Sequence, residues 1–234
     1  MVNPRLNELL DQLPQPDLQT LSPYLTLVSL VADQVLCDPG EPIETIYFPV
    51  NALVAIATVL SDGNSVDTAL IGADGLVGLK ALDPRASSHR CHITGSGLTY
   101  RIARSDLMRE AHSSVGISRM CIKAGIQMVR KMSLEVACIH FHSLEQRLAK
   151  WLLIRLDHGS LEAVRTTHQA IADSLGVRRE GITIGLQRLG GIGSRRGCVE
   201  IHDRSLLETY SCECYGLQRD IHPHQLQLPF QCAA

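Results

Sequence analysis

The stretch Thr167-His168-Gln169-Ala170-Ile171-Ala172-Asp173-Ser174-Leu175-Gly176-Val177 runs directly into Arg178-Arg179-Glu180-Gly181-Ile182-Thr183-Ile184-Gly185-Leu186-Gln187-Arg188-Leu189. Its apolar positions predict two short helices, each of which buries one face. Ala172 is small enough for the two helices to cross closely, and Gly176 supplies the tight turn between them. The two segments together are typical of a helix-turn-helix, and they decide the fold of the C-terminal part of the chain.

The second predicted helix, residues 178–189, opens with two arginines and a glutamate. These side chains suit the guanine and cytosine edges that a major groove presents. Gly190-Gly191 ends the helix, and Arg195-Arg196-Gly197 then lies between two short predicted strands. A hairpin directly after such a helix is a wing. The segment therefore indicates duplex DNA as the partner.

The bulk composition allows two ordinary domains in 234 residues, with 45% hydrophobic and only 4% aromatic residues. The cores must therefore rely on Leu, Ile, Val and Ala. No apolar run is long enough to predict a membrane span. The first residues lack a secretion-signal pattern, so we expect a cytoplasmic protein.

The formal net charge of −2 conceals an uneven distribution along the chain. Residues 1–112 carry a net charge of −6, whereas residues 113–142 and 143–204 each carry +3. A basic excess over the region of the predicted helix-turn-helix is compatible with a polyanionic partner.

The N-terminal part begins with a predicted amphipathic helix over Asn3–Leu13 and a second short helix near residues 17–21. From Leu25 to about Arg104, short strands alternate with turn residues, as in a β-sandwich or roll. Asp62-Gly63 between two apolar runs predicts a hairpin. The run Val54–Leu60 is apolar on both faces, which is typical of a strand covered on both sides.

Helical character begins near Ser105 and continues to Phe141. Apolar residues recur there at three- and four-residue steps: Ile117, Met120, Cys121, Ala124, Met128, Val129, Met132 and Val136. The stripe predicts either a homodimer seam on a long helix or an ordinary core helix, and its length favours the seam. Ser143 and Gln146 predict a capping box that starts another helix, to about Asp157. Thr166 or Thr167 is expected to cap the first helix of the DNA-binding pair.

The order of these parts resembles the cyclic-AMP receptor protein (Crp/Fnr) family of bacterial transcription regulators. The resemblance is carried by Ile171-Ala172-x-x-Leu175-Gly176-Val177-x-Arg179-Glu180, by Arg196-Gly197-x-x-x-Ile201-x-Asp203-Arg204 and by Gly72-Ala73-Asp74-Gly75-Leu76-Val77-Gly78. It implies an α+β fold: a cyclic-nucleotide-binding-like β-roll (1–112), a dimerisation helix (113–142), a winged helix-turn-helix (143–215) and a loose tail (216–234).

The resemblance also implies a homodimer on a roughly twofold-symmetric operator, with RNA polymerase as a further partner. Arg179 and Glu180 match the family's base-contacting pair, and Thr167 and Gln169 match phosphate contacts. Where the family has another base-contacting arginine, this chain has Ile184. The candidate DNA contacts are Thr167, Gln169, Arg178, Arg179, Glu180, Thr183, Arg188, Arg195 and Arg196.

The candidate effector pocket comprises Gly78, Arg90 and Cys91. Gly78 is followed by Leu79 and Lys80, so the glutamate that holds the ribose in cyclic-nucleotide-binding relatives is missing, and cyclic nucleotide binding is not favoured. Arg90 retains the chemistry to bind an anion. The identity of any small-molecule effector stays open.

No cofactor and no metal ion are expected from the sequence. Cys37 is the only cysteine in the first 90 residues, so the iron–sulfur motif of the oxygen-sensing relatives is absent. No Cys-x-x-Cys pair occurs, and Cys212-Glu213-Cys214 is the only close cysteine pair. His140 and His142 form a two-residue step, which on a helix points the rings apart.

Two alternatives to the regulator hypothesis are an enzyme on a cupin-like roll and a regulatory subunit that has lost DNA binding. The residues of the β-rich segment offer no ligand set or catalytic pair for the enzyme, so none is expected. Gly181 and Gly185 lie inside the predicted second helix, where each costs about 1 kcal/mol relative to alanine. They favour either a loosely packed helix that becomes firm on DNA or a less stable domain.

Overall fold

The computed structural model describes residues 3–79, 87, 89–158 and 163–220. The chain forms two compact units, one of Met1–Val59 with Thr68–Lys131 and the other of Leu60–Asp67 with Met132–Ala234. Within the described residues, no helix combines the length and the apolar character that crossing a bilayer requires.

The N-terminal segment forms a 3₁₀ turn at Pro4–Leu6, helix α1 at Glu8–Asp11, helix α2 at Gln15–Leu21 and a 3₁₀ turn at Ser22–Tyr24. The prediction of one helix over Asn3–Leu13 is wrong because Asn7 has an extended backbone. Its side chain accepts hydrogen bonds from the amides of Leu9 and Leu10 and so caps a new helix. The Asn7 amide nitrogen also donates to the carbonyls of Pro49 and Gly75, at 2.8 and 3.0 Å.

The described strands of the roll are β1 Thr26–Leu30, β2 Val35–Cys37, β3 Thr45–Pro49, β4 Leu53–Val59, β5 Ser65–Ile71, β6 His89–Gly95 and β7 Gly97–Ala103. They make a three-stranded sheet of order β1-β7-β3 and a four-stranded sheet of order β2-β6-β4-β5. The predicted hairpin at Asp62-Gly63 is confirmed, and Gly63 has a positive φ of 87°. The first five residues of β4 are all buried, as its two-sided apolar character predicted.

Two helices follow the roll, α3 at Arg104–Ser113 and α4 at Val115–Phe141. One face of the first half of α4 belongs to the core of the N-terminal unit. That core contains Leu9, Leu10, Leu21, Ile46, Phe48, Ile102, Leu107, Ile117, Met120, Cys121 and Ala124. Four of the eight residues expected on the seam are therefore buried against the unit's own sheet and helices.

An apolar stripe on another face of α4 is exposed, and it includes Val129 and Val136 from the expected seam. Ile122, Ile126, Val129 and Val136 each leave more than half of their surface accessible. Their spacing of four, three and seven residues matches alternating core positions of a heptad. Met128 is only partly exposed and does not belong to this stripe. The sequence period identified an amphipathic helix, but two apolar faces at similar spacing could not be separated without the fold.

The second unit contains α5 at Leu144–His158, strand β8 at Ala163–Arg165, α6 at His168–Leu175, α7 at Arg179–Arg188, strands β9 Ile192–Arg195 and β10 Cys198–Ile201, α8 at Arg204–Tyr210 and α9 at Cys214–Asp220. The three strands form a sheet of order β8-β10-β9. The predicted capping box is confirmed, because Ser143 and Gln146 bond each other's backbone amides at 2.9 and 3.3 Å. Residues 216–220 of the expected tail lie in α9, and residues 221–234 lie outside the described residues.

Candidate nucleic-acid interface

Helices α6 and α7 form the predicted helix-turn-helix. Thr167 caps α6 by accepting the amide of Ala170 at 3.1 Å, which decides between the two candidate caps. Gly176 ends the helix in the left-handed conformation, with φ of 64°. Ala172 is fully buried, as expected for a residue at a close helix crossing.

The N-terminal end of α7 presents charge to solvent. Arg178, Arg179 and Glu180 are exposed, and no ion pair engages them among the residues that the structure describes. No side chain caps the helix, so its first amides keep their hydrogen-bonding capacity. Ile184 lies one turn after Glu180 and is 48% exposed.

The opposite face of α7 packs onto α5. Gly185 is buried, and a methyl group in place of its hydrogen would lie 3.1 Å from Cδ2 of the fully buried Leu148. The expectation of a loosely packed helix is therefore wrong at this position, because the missing side chain lets α7 approach α5 closely. A methyl group at Gly181 would lie 3.2 Å from Cδ2 of Leu144, but Leu144 is only partly buried.

His168 joins three elements of this domain, although no sequence motif marked it as a functional residue. Its Nδ1 lies 2.9 Å from the hydroxyl of Thr183 on α7, and its Nε2 lies 3.1 Å from the hydroxyl of Ser194 on β9. One imidazole thus fixes α6, α7 and the wing relative to one another. The residue type was the available indication in the sequence, because a histidine ring carries two nitrogens that can bond to two partners at once.

The remaining candidate DNA contacts differ in whether their side chains already bond to other residues of the domain. Arg188 donates to the carboxylate of Glu145 at 2.7 Å, and this bond holds the pKa of Glu145 below its usual value. Arg195 pairs with Glu200 at 3.2 Å, whereas Arg196 is exposed at the tip of the wing. The side-chain amide of Gln169 donates to the carboxylate of Asp173, and the hydroxyl of Thr183 donates to the carbonyl of Arg179.

Buried side chains of α5 support α6 from beneath. Arg147 donates to the carbonyl of Leu175 at 2.7 Å, which places a cation at the C-terminal end of α6. The indole of Trp151 donates to the hydroxyl of Ser174 at 2.7 Å. The guanidinium of Arg155 lies over the Trp151 ring, 3.4 Å from its centroid, and burial lowers the pKa of Arg155 to about 10.

The roll contains a cavity of about 150 Å³ that Gly78 and Cys91 line together with Tyr47. Arg90 is not among the lining residues, because its side chain pairs with Asp38 at 2.5 Å. The structure thus separates one of the three predicted effector-pocket residues from the other two. Gly78 is required there, since it has a φ of 94° and a side chain would meet the carbonyl of Thr45 at 2.9 Å.

Tyr47 and Cys91 bring no charge to the cavity, whose lining also includes the carboxylate residue Glu44. Burial raises the pKa of Tyr47, and burial with the neighbouring Cys37 raises the pKa of Cys91 to about 12, so both stay neutral at physiological pH. Its volume lies below the roughly 300–1,000 Å³ of typical ligand pockets. Lys80 lies outside the described residues.

One group of cysteine and histidine side chains in the described part of the chain is close enough to hold a metal ion. It consists of Cys138, His142, Cys212 and Cys214. None of the four belongs to the candidate DNA contacts or the roll cavity.

Comparisons with known proteins agree with this architecture. Residues 146–210 match the family model described as the Crp-like helix-turn-helix domain. A search of curated proteins gave no match.

Solved structures share the fold of most of the chain. A Crp/Fnr-family regulator of Eubacterium rectale is 16% identical with a TM-score of 0.73, and the match covers 88% of this chain and 98% of that one. FixK2 of Bradyrhizobium japonicum is 20% identical with a TM-score of 0.64, over 80% and 98% of the two chains. A Crp/Fnr-family regulator of Thermus thermophilus is 19% identical with a TM-score of 0.65, over the same shares.

The matched helix-turn-helix domain and its exposed, positively charged helix end define the protein as a DNA-binding transcription regulator. Within that class the chain has the Crp/Fnr architecture, a β-roll followed by a long helix and a winged helix-turn-helix, as the resemblance predicted. Neither the cupin-like enzyme nor the regulatory subunit without DNA binding receives support.

Proposed function

We propose that the protein acts as a homodimer that binds a roughly twofold-symmetric operator through α7 of each protomer. The observation that carries this proposal is the N-terminal end of α7, where Arg178, Arg179 and Glu180 are exposed and without ion-pair partners in the described residues. A helix end with free amides and two arginines favours phosphate and base-edge acceptors.

Arg179 and Glu180 are the proposed base contacts, to guanine and cytosine respectively. Ile184 shares a face with Glu180 and is half exposed, so it is placed to contact the methyl group of a thymine. An apolar contact at this position would give the operator a thymine where arginine-bearing relatives favour guanine.

Phosphate contacts are assigned to groups at the edge of α7. Arg178 and Arg196 are exposed and have no ion-pair partner among the described residues, and Thr167 and Gln169 lie at the start of α6. Arg195, Thr183 and Arg188 contribute less, because their side chains already bond to Glu200, His168 and Glu145 respectively. The same holds for the amide group of Gln169, which donates to Asp173. Such contacts set the position on the duplex rather than the sequence.

The exposed stripe of α4 is the proposed dimer seam. Ile122, Ile126, Val129 and Val136 follow a heptad pattern, and a stripe of this size on one helix is costly in water. Pairing two copies along it would place two DNA-binding domains on one operator, with RNA polymerase as the further partner of such a complex.

Operator selection with the full-length protein tests the proposed function. We expect an enriched motif of two inverted half-sites about one helical turn apart. Arg179→Ala should lose about 1–3 kcal/mol of discrimination at one base pair per half-site. Arg188→Ala is the matched control, because Glu145 holds that side chain, and it should keep the selected motif. The base-reading role is refuted when Arg179→Ala weakens binding equally on every sequence.

Replacing thymine with uracil in the selected operator tests Ile184 directly, because uracil lacks only the methyl group. The wild-type protein should bind the substituted site more weakly at one position. The variant Ile184→Ala should bind both sites alike. Equal binding of both sites by the wild-type protein would exclude the methyl contact.

Sedimentation tests the seam. Ile126→Asp places a charge on the stripe and should convert dimers to monomers at micromolar concentration. Leu217→Asp alters a similarly exposed apolar residue on α9 and should leave the dimer intact. A dimer that survives Ile126→Asp rules out this face of α4 as the seam.

A further inference from the structure

Four potential metal ligands converge at the end of α4. Cys138 lies in the last turn of that helix, and His142 follows it by four residues, just beyond the helix end. Cys212 lies between α8 and α9, and Cys214, on the other side of Glu213, is the first residue of α9. The ligand atoms of all four residues lie within 4.8 Å of one another.

The spacing of these atoms matches the edges of a tetrahedron around a single ion. Cys138 Sγ and Cys212 Sγ are 3.6 Å apart, and Cys214 Sγ and His142 Nδ1 are also 3.6 Å apart. Zinc–sulfur bonds of ~2.3 Å at the tetrahedral angle place two sulfur ligands about 3.8 Å apart. The four side chains therefore need only small adjustments to bind one ion.

His142 is oriented for ligation by a second contact. Its Nε2 lies 3.0 Å from the carboxylate of Glu213, the residue between the two cysteines. A carboxylate on one ring nitrogen fixes the other nitrogen as the metal ligand and is the common outer partner of zinc-bound histidines.

The surroundings suit a site rich in thiolates. Cys138, Cys212 and Cys214 are all buried, and the imidazole is largely buried beside them. Three thiolates and one divalent ion leave a net charge of −1, and the buried Lys150 ammonium interacts with Cys138. Lys150 also pairs with Glu135 at 2.6 Å, so the cation is held in place.

We propose that Cys138, His142, Cys212 and Cys214 bind one zinc ion in a closed tetrahedral site that fastens the segment after α8 to the end of α4. Four protein ligands leave no open position for substrate, so the site is structural. A disulfide between Cys138 and Cys212 is the competing role, but it gives no function to Cys214 or to the pair of His142 and Glu213. The proposal does not depend on any DNA contact.

The sequence alone predicts no metal site and leaves the role of Cys212 and Cys214 open. The sequence did not reveal the metal site because Cys138, whose sulfur lies 3.6 Å from that of Cys212, is 74 residues away along the chain. The step from His140 to His142 gives no metal pair, because the His140 ring bonds the carbonyl of Val136 instead. The useful spacing was Cys138-x-x-x-His142, which places two ligands on one side of a helix end.

Metal content and cobalt spectroscopy of the full-length protein test the proposal. The protein purified under reducing conditions should contain one zinc per chain by mass spectrometry. After removal of the metal, cobalt(II) should produce thiolate charge-transfer bands and the intense visible bands of a tetrahedral site, which saturate at one equivalent. Added zinc should abolish these bands, because zinc binds thiolate-rich tetrahedral sites more tightly than cobalt.

Single substitutions assign the ligands. Cys214→Ser and His142→Ala should each weaken zinc binding strongly and change the cobalt spectrum. Glu213→Gln should weaken zinc binding about 10–100-fold, as expected for an outer partner. The matched controls Cys198→Ser and His140→Ala alter residues outside the cluster and should bind cobalt like the wild type.

Two outcomes would overturn the site. The first is a reduced wild-type protein that shows no saturable cobalt–thiolate bands, together with a Cys138–Cys212 disulfide in peptides from unreduced protein. The second is a cobalt spectrum that Cys214→Ser and Cys198→Ser leave equally unchanged. The wild-type titration alone decides the first outcome, so a variant that fails to fold does not weaken the test.

Discussion

Replacing the two glycines of α7 by alanine should have different effects on the stability of the DNA-binding domain. Gly185→Ala places a methyl group 3.1 Å from Cδ2 of Leu148, which is fully buried and cannot move without displacing its neighbours. Gly181→Ala places one 3.2 Å from Cδ2 of Leu144, which is partly exposed and can rotate away.

The magnitudes follow from two terms. Both substitutions gain about 1 kcal/mol of helix propensity. Overpacking a closed contact costs about 1–3 kcal/mol, and this cost applies at Gly185 but largely not at Gly181. We expect Gly181→Ala to stabilise the domain by up to ~1 kcal/mol, and Gly185→Ala to leave it unchanged or destabilise it by up to ~2 kcal/mol.

Urea unfolding followed by tryptophan fluorescence measures the difference. Trp151 is the single tryptophan and lies on α5, the helix that both glycines approach, so its signal reports this domain. The midpoint should rise for Gly181→Ala and stay or fall for Gly185→Ala. Equal stabilisation by both substitutions would show that α7 does not approach α5 as closely as these distances require.

The remaining predictions concern single side chains. His168→Ala removes two bonds worth about 0.5–1.5 kcal/mol each, and should raise amide exchange in α7 and β9 while the other helices stay protected; unchanged exchange would contradict its bridging role. Lys131→Met leaves the buried carboxylate of Asp74 without its cation, now 2.6 Å away, and should cost about 3–5 kcal/mol in urea unfolding, much of which Asp74→Leu in the same chain should restore. The bond from Arg188 lowers the pKa of Glu145 from 4.5, so its contribution to stability is present above pH 4.5 and lost as the pH falls through the lowered pKa. In Arg188→Ala, NMR titration should find the pKa of Glu145 closer to 4.5. An unchanged pKa would show that the bond from Arg188 does not lower it.

Much of the fold could be predicted because the relevant signals are local. The hairpin at Asp62-Gly63, the capping box at Ser143 and the turn at Gly176 each follow from a few neighbouring residues. The failures arose where a residue's role depends on a distant contact. Asn7 divides the first helix because its side chain also binds the carbonyls of Pro49 and Gly75, which no local pattern reveals.

The candidate site shows the same division. The charged end of α7 was identified from residue types, and those side chains are exposed where the sequence placed them. Arg90 was aligned with an anion-binding arginine, but its pairing with Asp38 removes it from the cavity. The stripe on α4 was recognised by its period, but the choice of face required the core, because Ile117 and Cys121 fill it while Ile122 and Ile126 remain outside.

The sequence by itself determined the order of elements, the helix-turn-helix and the charged helix end, because periodicity, caps and turn glycines act over a few residues. Only the tertiary structure decided what pairs across long stretches of chain: the bridging role of His168, the close contact at Gly185, and the meeting of Cys138 and His142 with Cys212 and Cys214. Such contacts depend on how separate elements pack, and packing distances are not written in local spacing.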